Sequence, residues 1–376
     1  MTTFIPPFCR NPGCTYHHPS PGSPYTSFER WGSYSTRAFG RVPRFRCTSC
    51  GTTFSRQTFR LDYWLKRVYD YNDLTERLAS CSSIRAIGRA YHVAGKSIQN
   101  RIGRAARQVI AFEAKLSCCR RPKEDLVADG FESFCVSQYY PNNIHLLVGA
   151  SSQFVYATDH VTIRRKGTMT RQQKKKREQL EQRFRADPQG LCHSFSRILE
   201  ASFSILADVA RPSLRLWTDQ KREYRSSLRQ SDCATGLLES GRLVHRTVSS
   251  RALRSRWNPL FPVNYLDREL RKDLHEHTRE TVCFGRNVNA QMERFHLYLY
   301  YHNYCKAHRS RGAFQSNALL AGYDPQFIAV EMKKLWEWRA WHTQIELDVS
   351  YEETWMRLRR TPLKQGKDYL PKHVVA

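Results

Sequence analysis

The spacing of apolar residues changes along the chain, and each change marks a different kind of module. Residues 1–60 are rich in proline, glycine, serine, threonine and aromatic residues and show little helical periodicity, which is typical of loops and short strands. Between residues 61 and 120 the apolar residues recur at helical spacing, for example Ile84, Ile87 and Tyr91. The pattern therefore predicts a small loop-and-strand module followed by a helical one.

Beyond residue 121 the apolar residues fall into short runs that predict strands. Four runs follow one another closely and are mostly rich in valine, isoleucine and aromatic residues: 126–129, 131–138, 144–150 and 154–163. We place a turn between the second and third runs, at Asn142-Asn143. Later runs predict strands at 214–219 and 243–248. Longer periodic segments predict helices at 195–209, 266–274, 288–304 and 329–341.

The charge of the chain favours a polyanionic partner. The 376 residues include 61 lysines and arginines against 34 acidic residues, a formal net charge of +27. A cationic surface binds nucleic-acid phosphates with release of counterions, so we expect double-stranded DNA as the partner. A basic insertion at about 164–190, which contains Lys174-Lys175-Lys176-Arg177, is interpreted either as a solvated helix or loop or as a DNA contact.

Two further patterns bear on location. No run of about 18 apolar residues is present, which predicts no membrane-spanning helix and no membrane partner. The first residues lack the basic and apolar regions of a signal peptide. We therefore expect a cytoplasmic protein in a reducing environment.

Four of the 12 cysteines have the spacing of metal ligands: Cys9, Cys14, Cys47 and Cys50. Zinc takes four soft ligands in a tetrahedron, and two pairs of cysteines at such spacing supply them. The first pair is spaced more widely than is usual, so His17 and His18 are alternative ligands. We predict a structural zinc ribbon in residues 1–60.

Residues 83–102 fit two short helices around a turn. Ile84 and Ile87 would line the buried face of the first helix, and Ile98 and Ile102 that of the second. Polar side chains of the second helix would then be free to reach a DNA groove: Lys96, Gln99, Asn100 and Arg101. This pattern predicts a helix-turn-helix DNA-binding module within residues 61–120, with an ordinary helical hairpin as the alternative.

Two aspartates end two of the predicted strands. Asp129 closes the run 126–129, and Asp219 closes the run 214–219. Carboxylates brought together on rigid strand ends can begin a site for magnesium or manganese, which prefer hard oxygen ligands. A lone aspartate at a strand end is more often a turn residue. Asp159 and His160 also follow a strand, and we interpret these two as surface residues.

The order of these features resembles the transposases of bacterial insertion sequences, most closely the IS-one family. Thr218-Asp219 followed by Tyr224 is similar to that family's Thr-Asp-Gly-Trp-x-x-Tyr segment. Residues 263–271 are similar to its Val-Glu-Arg-x-Asn-x-x-Leu-Arg segment. The resemblance covers residues 9–305, and its specific part is the order and register of the motifs.

This resemblance implies an RNase H-like core within residues 121–310 that carries a DDE-type triad. Asp129 matches the first acid and Asp219 the second, with Asp129 expected on the central first strand and Asp219 on the adjacent fourth. Two divalent ions, magnesium or manganese, would serve phosphoryl transfer on DNA by activating the attacking oxygen and stabilising the leaving one.

The third acid departs from the family's pattern. The expected glutamate aligns with Asn264, and the expected asparagine aligns with Asp267, so the two residue types look exchanged. Positions i and i+3 share a face of a helix, so Asp267 could present its carboxylate to the same metals. Glu293 is the alternative third acid. We favour Asp267 with Asn264 beside it, because only this choice keeps the register.

The complete prediction is a multidomain α+β protein. A zinc ribbon and a helix-turn-helix module precede an RNase H-like core with a mixed sheet and flanking helices, and residues 311–376 form a helical extension with a basic tail. We expect a bacterial, nucleoid-associated DNA transposase that binds terminal inverted repeats as a dimer or larger assembly. Four arginines are expected to contact DNA: Arg271, Arg279, Arg286 and Arg294.

Two alternatives remain open. A transposase-derived regulator would keep the DNA-binding modules and lack catalysis, which the asparagine at position 264 motivates. A metal-dependent nuclease would cut DNA without joining strands.

Overall fold

The structure is a computed structural model that describes residues 4–18, 24–117, 124–202, 213–278, 281–339 and 346–364. Its N-terminal part is a three-stranded antiparallel sheet of β1 (Phe28–Thr36), β2 (Gly40–Cys47) and β3 (Thr53–Ser55). Aromatic rings and three of the cysteines form a core of their own here. A module this small buries little apolar surface, so a bound metal would add stability.

Three helices follow the ribbon: α1 (Tyr71–Ala79), α2 (Ile84–Ala90) and α3 (Gly95–Ser117). The Ser83 hydroxyl caps α2 by accepting a hydrogen bond from the Ala86 amide at 3.2 Å. A Cβ on Gly88, inside α2, would lie 2.8 Å from the Val93 carbonyl oxygen, so the close approach of the following turn to α2 requires glycine there. A short turn joins α2 and α3, as predicted. The second helix is 23 residues long, however, and the prediction of a short one was wrong.

A five-stranded mixed sheet forms the centre of the remaining chain. Its strands are β4 (Leu126–Phe134), β5 (Pro141–Gly149), β6 (Val155–Thr162), β7 (Leu214–Asp219) and β8 (Leu243–Val248), in the spatial order β6-β5-β4-β7-β8. The first three are antiparallel, whereas β7 runs parallel to both β4 and β8. The first strand of the sheet is central and the fourth lies beside it, as expected, which is consistent with an RNase H-like core.

The turn predicted at Asn142-Asn143 was wrong. Asn142 and Asn143 lie inside β5, and β4 continues through Asp129 to residue 134. The amide of Asn142 donates to Gln291 Oε1 at 2.9 Å, which satisfies this polar group in the buried sheet. Gly130 faces Asn143 so closely that a Cβ would collide with its side chain. The chain therefore turns at residues 135–140.

Helices cover the sheet. Their bounds are α4 (Arg171–Glu181), α5 (Gly190–Ala201), α6 (Arg222–Gln230), α7 (Asp232–Glu239), α8 (Phe261–Asp273), α9 (Val288–Tyr300), α10 (Asn317–Leu320), α11 (Pro325–Leu335) and α12 (Val349–Trp355). A π-helical turn, Tyr301–Cys305, extends α9. Helix α9 is buried along nearly its whole length and packs against α3. Among the described residues, no helix has both the length and the apolar character needed to cross a membrane.

Candidate active site

The pairing of β4 with β7 places Asp129, which lies inside β4, beside Asp219, the last residue of β7. These strands are parallel, with Leu126 opposite Leu216 and Val127 opposite Trp217. Two residues further along each strand come Asp129 and Asp219. Because side chains on a strand alternate with a period of two, both carboxylates leave the same face at the same edge of the sheet.

The ammonium of Lys221 lies between the two carboxylates. Its Nζ is 3.2 Å from Asp129 Oδ1 and 3.4 Å from Asp219 Oδ2. Burial lowers the pKa of this lysine, but the charges of the two aspartates outweigh that effect and raise the pKa above its ordinary value. Burial is the main cause of a raised pKa at Asp219. The pair of aspartates therefore forms a cation-binding position.

Three groups hold Asp129 through one oxygen atom. The Gly130 amide donates to Asp129 Oδ1 at 2.7 Å, and the Tyr224 hydroxyl and Lys221 Nζ each donate to it at 3.2 Å. Tyr224 projects from α6, which begins just after Asp219. No hydrogen bond to Asp129 Oδ2 is recorded from the described residues, so this oxygen is available as a metal ligand.

Asp267 lies on α8, which packs against β4 and β5. Burial raises the pKa of its carboxyl to about 8, and the negative charge of Asp129 adds to the rise. Asp267 Oδ1 is buried and has no hydrogen-bond partner among the described residues. A charged oxygen that is buried without a partner is costly unless the carboxylate takes up a proton or a cation. This residue therefore has the properties of a third ligand, and that role stays a prediction.

Two neighbours of Asp267 on α8 differ from it. Asn264 is half-buried one turn earlier, at the position where the family's pattern has glutamate. Glu269 is buried and forms ion pairs with Lys272 at 3.0 Å and with Lys306. The carboxylate of Glu269 is thus already neutralised by the protein itself.

The alternative third acid, Glu293, lies in a different environment. It is on α9, its side chain is 1% exposed, and its Oε1 is 2.6 Å from Arg357 Nη1 and 3.5 Å from Arg107 Nη1. The Gln99 amide also approaches its Oε2 at 3.4 Å. These contacts link α9 to α3 and to the C-terminal segment, which is a structural arrangement.

The arginines of the core that are predicted to contact DNA differ in their surroundings. Arg271 donates to the Glu132 carbonyl at 2.8 Å and its guanidinium lies 4.7 Å from the Phe131 ring centre, so it braces the strand that carries Asp129. Arg286 is exposed. Arg279 lies outside the described residues.

Among the four residues predicted to enter a DNA groove, Lys96 is exposed and the other three are half-buried. Gln99 is half-buried against Glu293 and Arg294, Asn100 is half-buried, and the Arg101 guanidinium lies over the ring of Tyr69 at 5.2 Å. DNA contacts by these four residues stay predictions.

Two interpretations of surface residues were wrong. Asp159 is completely buried and forms ion pairs with Arg197 at 2.9 Å and Arg359 at 3.1 Å, and His160 beside it is also buried. Arg294, which was expected to contact phosphates, is buried and paired with Glu276. A single sequence shows no partner for such charges, because their partners are distant along the chain.

The four cysteines of the ribbon meet at one point. Their sulfur atoms all lie within 4.8 Å of one another, with Cys9 3.5 Å from Cys50 and Cys14 3.9 Å from Cys47. Tetrahedral zinc with bonds of about 2.3 Å needs sulfur atoms about 3.8 Å apart. The cluster therefore fits a metal such as zinc. The ring nitrogen Nδ1 of His17, an alternative ligand in the sequence, lies 2.7 Å from the Cys9 carbonyl oxygen, at hydrogen-bonding distance.

Lys221 is the residue of the acidic site that the sequence did not reveal. It stands two residues after Asp219, where the family's Thr-Asp-Gly-Trp-x-x-Tyr segment has tryptophan. That substitution of a cation for an aromatic ring was the available signal. Its meaning depends on the β4–β7 pairing, which brings Asp129 to the same place.

Comparisons with known proteins do not identify the family of this chain. No protein-family model matches the sequence, and no curated protein matches it. A chain in the cryo-EM structure of a simian T-cell lymphotropic virus intasome in complex with PP2A regulatory subunit B56 gamma is 11% identical. The match has a TM-score of 0.31 and covers 55% of this chain and 56% of that one.

The HTLV-2 integrase catalytic core domain in complex with magnesium is 13% identical, with a TM-score of 0.28. That match covers 54% of this chain and 98% of the other. The present chain thus spans little more than half of the intasome chain. Neither protein is a bacterial transposase, and likenesses this weak assign no activity. The function must be argued from the geometry of the site.

Proposed function

We propose that this protein is a metal-dependent DNA strand transferase of the transposase type. The observation that carries the proposal is the meeting of Asp129 and Asp219 at one edge of the sheet, with a cation between them and Asp267 close by. Two carboxylates around a cation-binding position, with a third acid close enough to interact electrostatically with Asp129, form an arrangement suited to divalent metal and phosphate chemistry.

The donor atoms fit magnesium or manganese. All three acids offer hard carboxylate oxygens, and Asp267 supplies a buried oxygen that has no hydrogen-bond partner among the described residues. Asp129, Asp219 and Asp267 would hold the divalent ions, whose chemistry would be to stabilise charge on the attacking and leaving oxygens of a phosphoryl transfer. The protein's own contribution is positioning. Tyr224 and Gly130 orient Asp129 through Oδ1, and Arg271 braces its strand.

The N-terminal modules would bind the DNA. The ribbon and the helix-turn-helix belong to a chain with a net charge of +27, and Lys96 is exposed at the start of α3. Joining two element ends to a target requires both ends in one complex, so the proposal includes a dimer or larger assembly. Terminal inverted repeats are the proposed recognition sites.

Lys221 supports a second candidate, a DNA-binding regulator that does not cut. Its ammonium already supplies positive charge between the two aspartates, which is where a metal ion would bind. A permanent lysine there would make a metal unnecessary for folding and would prevent catalysis.

The two candidates are separated by cleavage and joining assays on DNA ends from the source element, with Mg²⁺ or Mn²⁺. For the transferase we expect cut and joined products from the wild type and none from Asp219→Asn. Cutting without joining would indicate a nuclease. DNA binding with no product in either metal would overturn the proposal in favour of the regulator.

A further inference from the structure

A loop beside the acidic site displays large apolar side chains among arginines. We define the arginine loop as residues 249–260, between β8 and α8. Leu253 is 83% exposed and Trp257 is 80% exposed. Large apolar side chains exposed together on a basic surface indicate an interaction site.

The position of the loop is set by the strands. Val248, the last residue of β8, pairs with Asp219 in the parallel register, so the loop starts at the edge of the sheet where the aspartates meet. The loop ends at α8, which carries Asp267. Arg254 is close enough to act electrostatically on the Asp267 carboxyl. Both ends of the loop are therefore anchored at the acidic site.

The local structure of the loop holds its apolar side chains outward. Ser255 Oγ accepts a hydrogen bond from the Trp257 amide at 3.3 Å, and Asn258 Nδ2 donates to the Leu253 carbonyl at 2.9 Å. The Arg256 guanidinium lies 4.7 Å from the centre of the Trp257 ring. The exposed ring of Trp257 therefore has the positive charge of Arg256 beside it.

The charge of this region selects the class of partner. Between Glu239 and Asp267 the sequence contains no acidic residue. The same stretch contains five arginines: Arg242, Arg246, Arg251, Arg254 and Arg256. Nucleic-acid backbones carry the complementary charge, and aromatic rings beside arginines stack on unpaired bases without regard to sequence.

We propose that the arginine loop binds unpaired DNA next to the acidic site, with Trp257 stacking on a base and the arginines contacting the flanking phosphates. The inference rests on the proposed function, because it assigns a role in holding the strand that the site would cut. It predicts that the protein prefers DNA ends whose strands are separated at the point of cleavage.

The test uses the full-length protein and a 12-nucleotide oligothymidylate that carries one 2-aminopurine, without divalent metal so that nothing is cut. We expect wild-type protein to quench the 2-aminopurine by stacking. Trp257→Ala should weaken oligonucleotide binding about 5- to 100-fold and remove the quenching, whereas Trp257→Phe should restore part of both. Because Trp257 is exposed, its replacement should leave the melting temperature unchanged.

Phe314→Ala is the matched control, since this aromatic side chain is also exposed, at 61%, and lies outside the loop. It should bind and quench as wild type does. Wild-type binding and quenching in Trp257→Ala would overturn the inference, whatever the cleavage assays show. Quenching by a wild type that never cuts DNA would instead overturn the proposed function and leave the loop's role intact.

Discussion

Asp267 and Glu293 are both carboxylates on helices that flank the central sheet, and they differ in their partners. Glu293 is ion-paired with Arg107 and Arg357. Asp267 has an oxygen with no partner among the described residues, and burial raises its pKa to about 8. The first charge is compensated inside the protein, and the second is left for a proton or an external cation. The comparison shows that partners, more than residue type, indicate what a buried acid does.

The largest expected effect is on catalysis. Asp267→Asn should reduce metal-dependent cleavage about a thousandfold or more, because it removes a ligand charge at the reacting centre. Glu293→Gln should retain cleavage per folded molecule. The measurement is single-turnover cleavage of a DNA end in Mn²⁺. A folded but inactive Glu293→Gln variant would reverse the roles assigned to the two acids.

The next effect is on stability. Glu293→Gln should lower the free energy of unfolding by about 3–5 kcal/mol, since it leaves the buried Arg107 and the partly buried Arg357 without their anion. Urea denaturation followed by circular dichroism measures this loss. Glu239→Gln, at an exposed helix end, should change stability by no more than about 0.5 kcal/mol. Equal stability of Glu293→Gln and wild type would show that the ion pairs of Glu293 contribute little to the free energy of unfolding.

Replacement of Lys221 should have a smaller effect, on the affinity for metal at the position between Asp129 and Asp219. Lys221→Met should tighten Mn²⁺ binding about tenfold, equivalent to about 1.4 kcal/mol, because the competing ammonium is removed. Isothermal titration calorimetry gives the Kd, with exposed Lys174→Met as the control. Weaker binding in Lys221→Met would mean that the lysine supports the metal site instead of competing for it.

A dependence of stability on pH, which is small per pH unit, tests the protonation of Asp267 without metal. The raised pKa of Asp267 means that the folded state holds a proton that the unfolded chain releases near pH 4, so stability should fall as pH rises from about 4 to about 8. The slope is at most about 1.4 kcal/mol per pH unit. Asp267→Asn should flatten this contribution in denaturation curves recorded between pH 5 and 8. An unchanged slope would remove the case for a protonated Asp267.

The sequence located much of the candidate site and less of its surroundings. The strand end at Asp219, the helix that carries Asp267 and the four clustered cysteines lie where local patterns indicated, whereas the strand predicted to end at Asp129 continues to Phe134. The turn at Asn142-Asn143 was wrong, because asparagine favours turns in isolation but here its amide is satisfied inside the sheet. The roles of the three acids in catalysis stay predictions.

The sequence by itself determined what depends on neighbours along the chain: the period of apolar residues, the Ser83 cap, the spacing of the cysteines and the position of Asp219 at a strand end. Only the tertiary structure decided which charges meet. Lys221 reaches Asp129 across 92 positions, Arg107 reaches Glu293 across 186, and Arg359 reaches Asp159 across 200. The physical reason is that periodicity reports which face of an element is apolar, whereas the pairing of charges is set by how elements pack against one another.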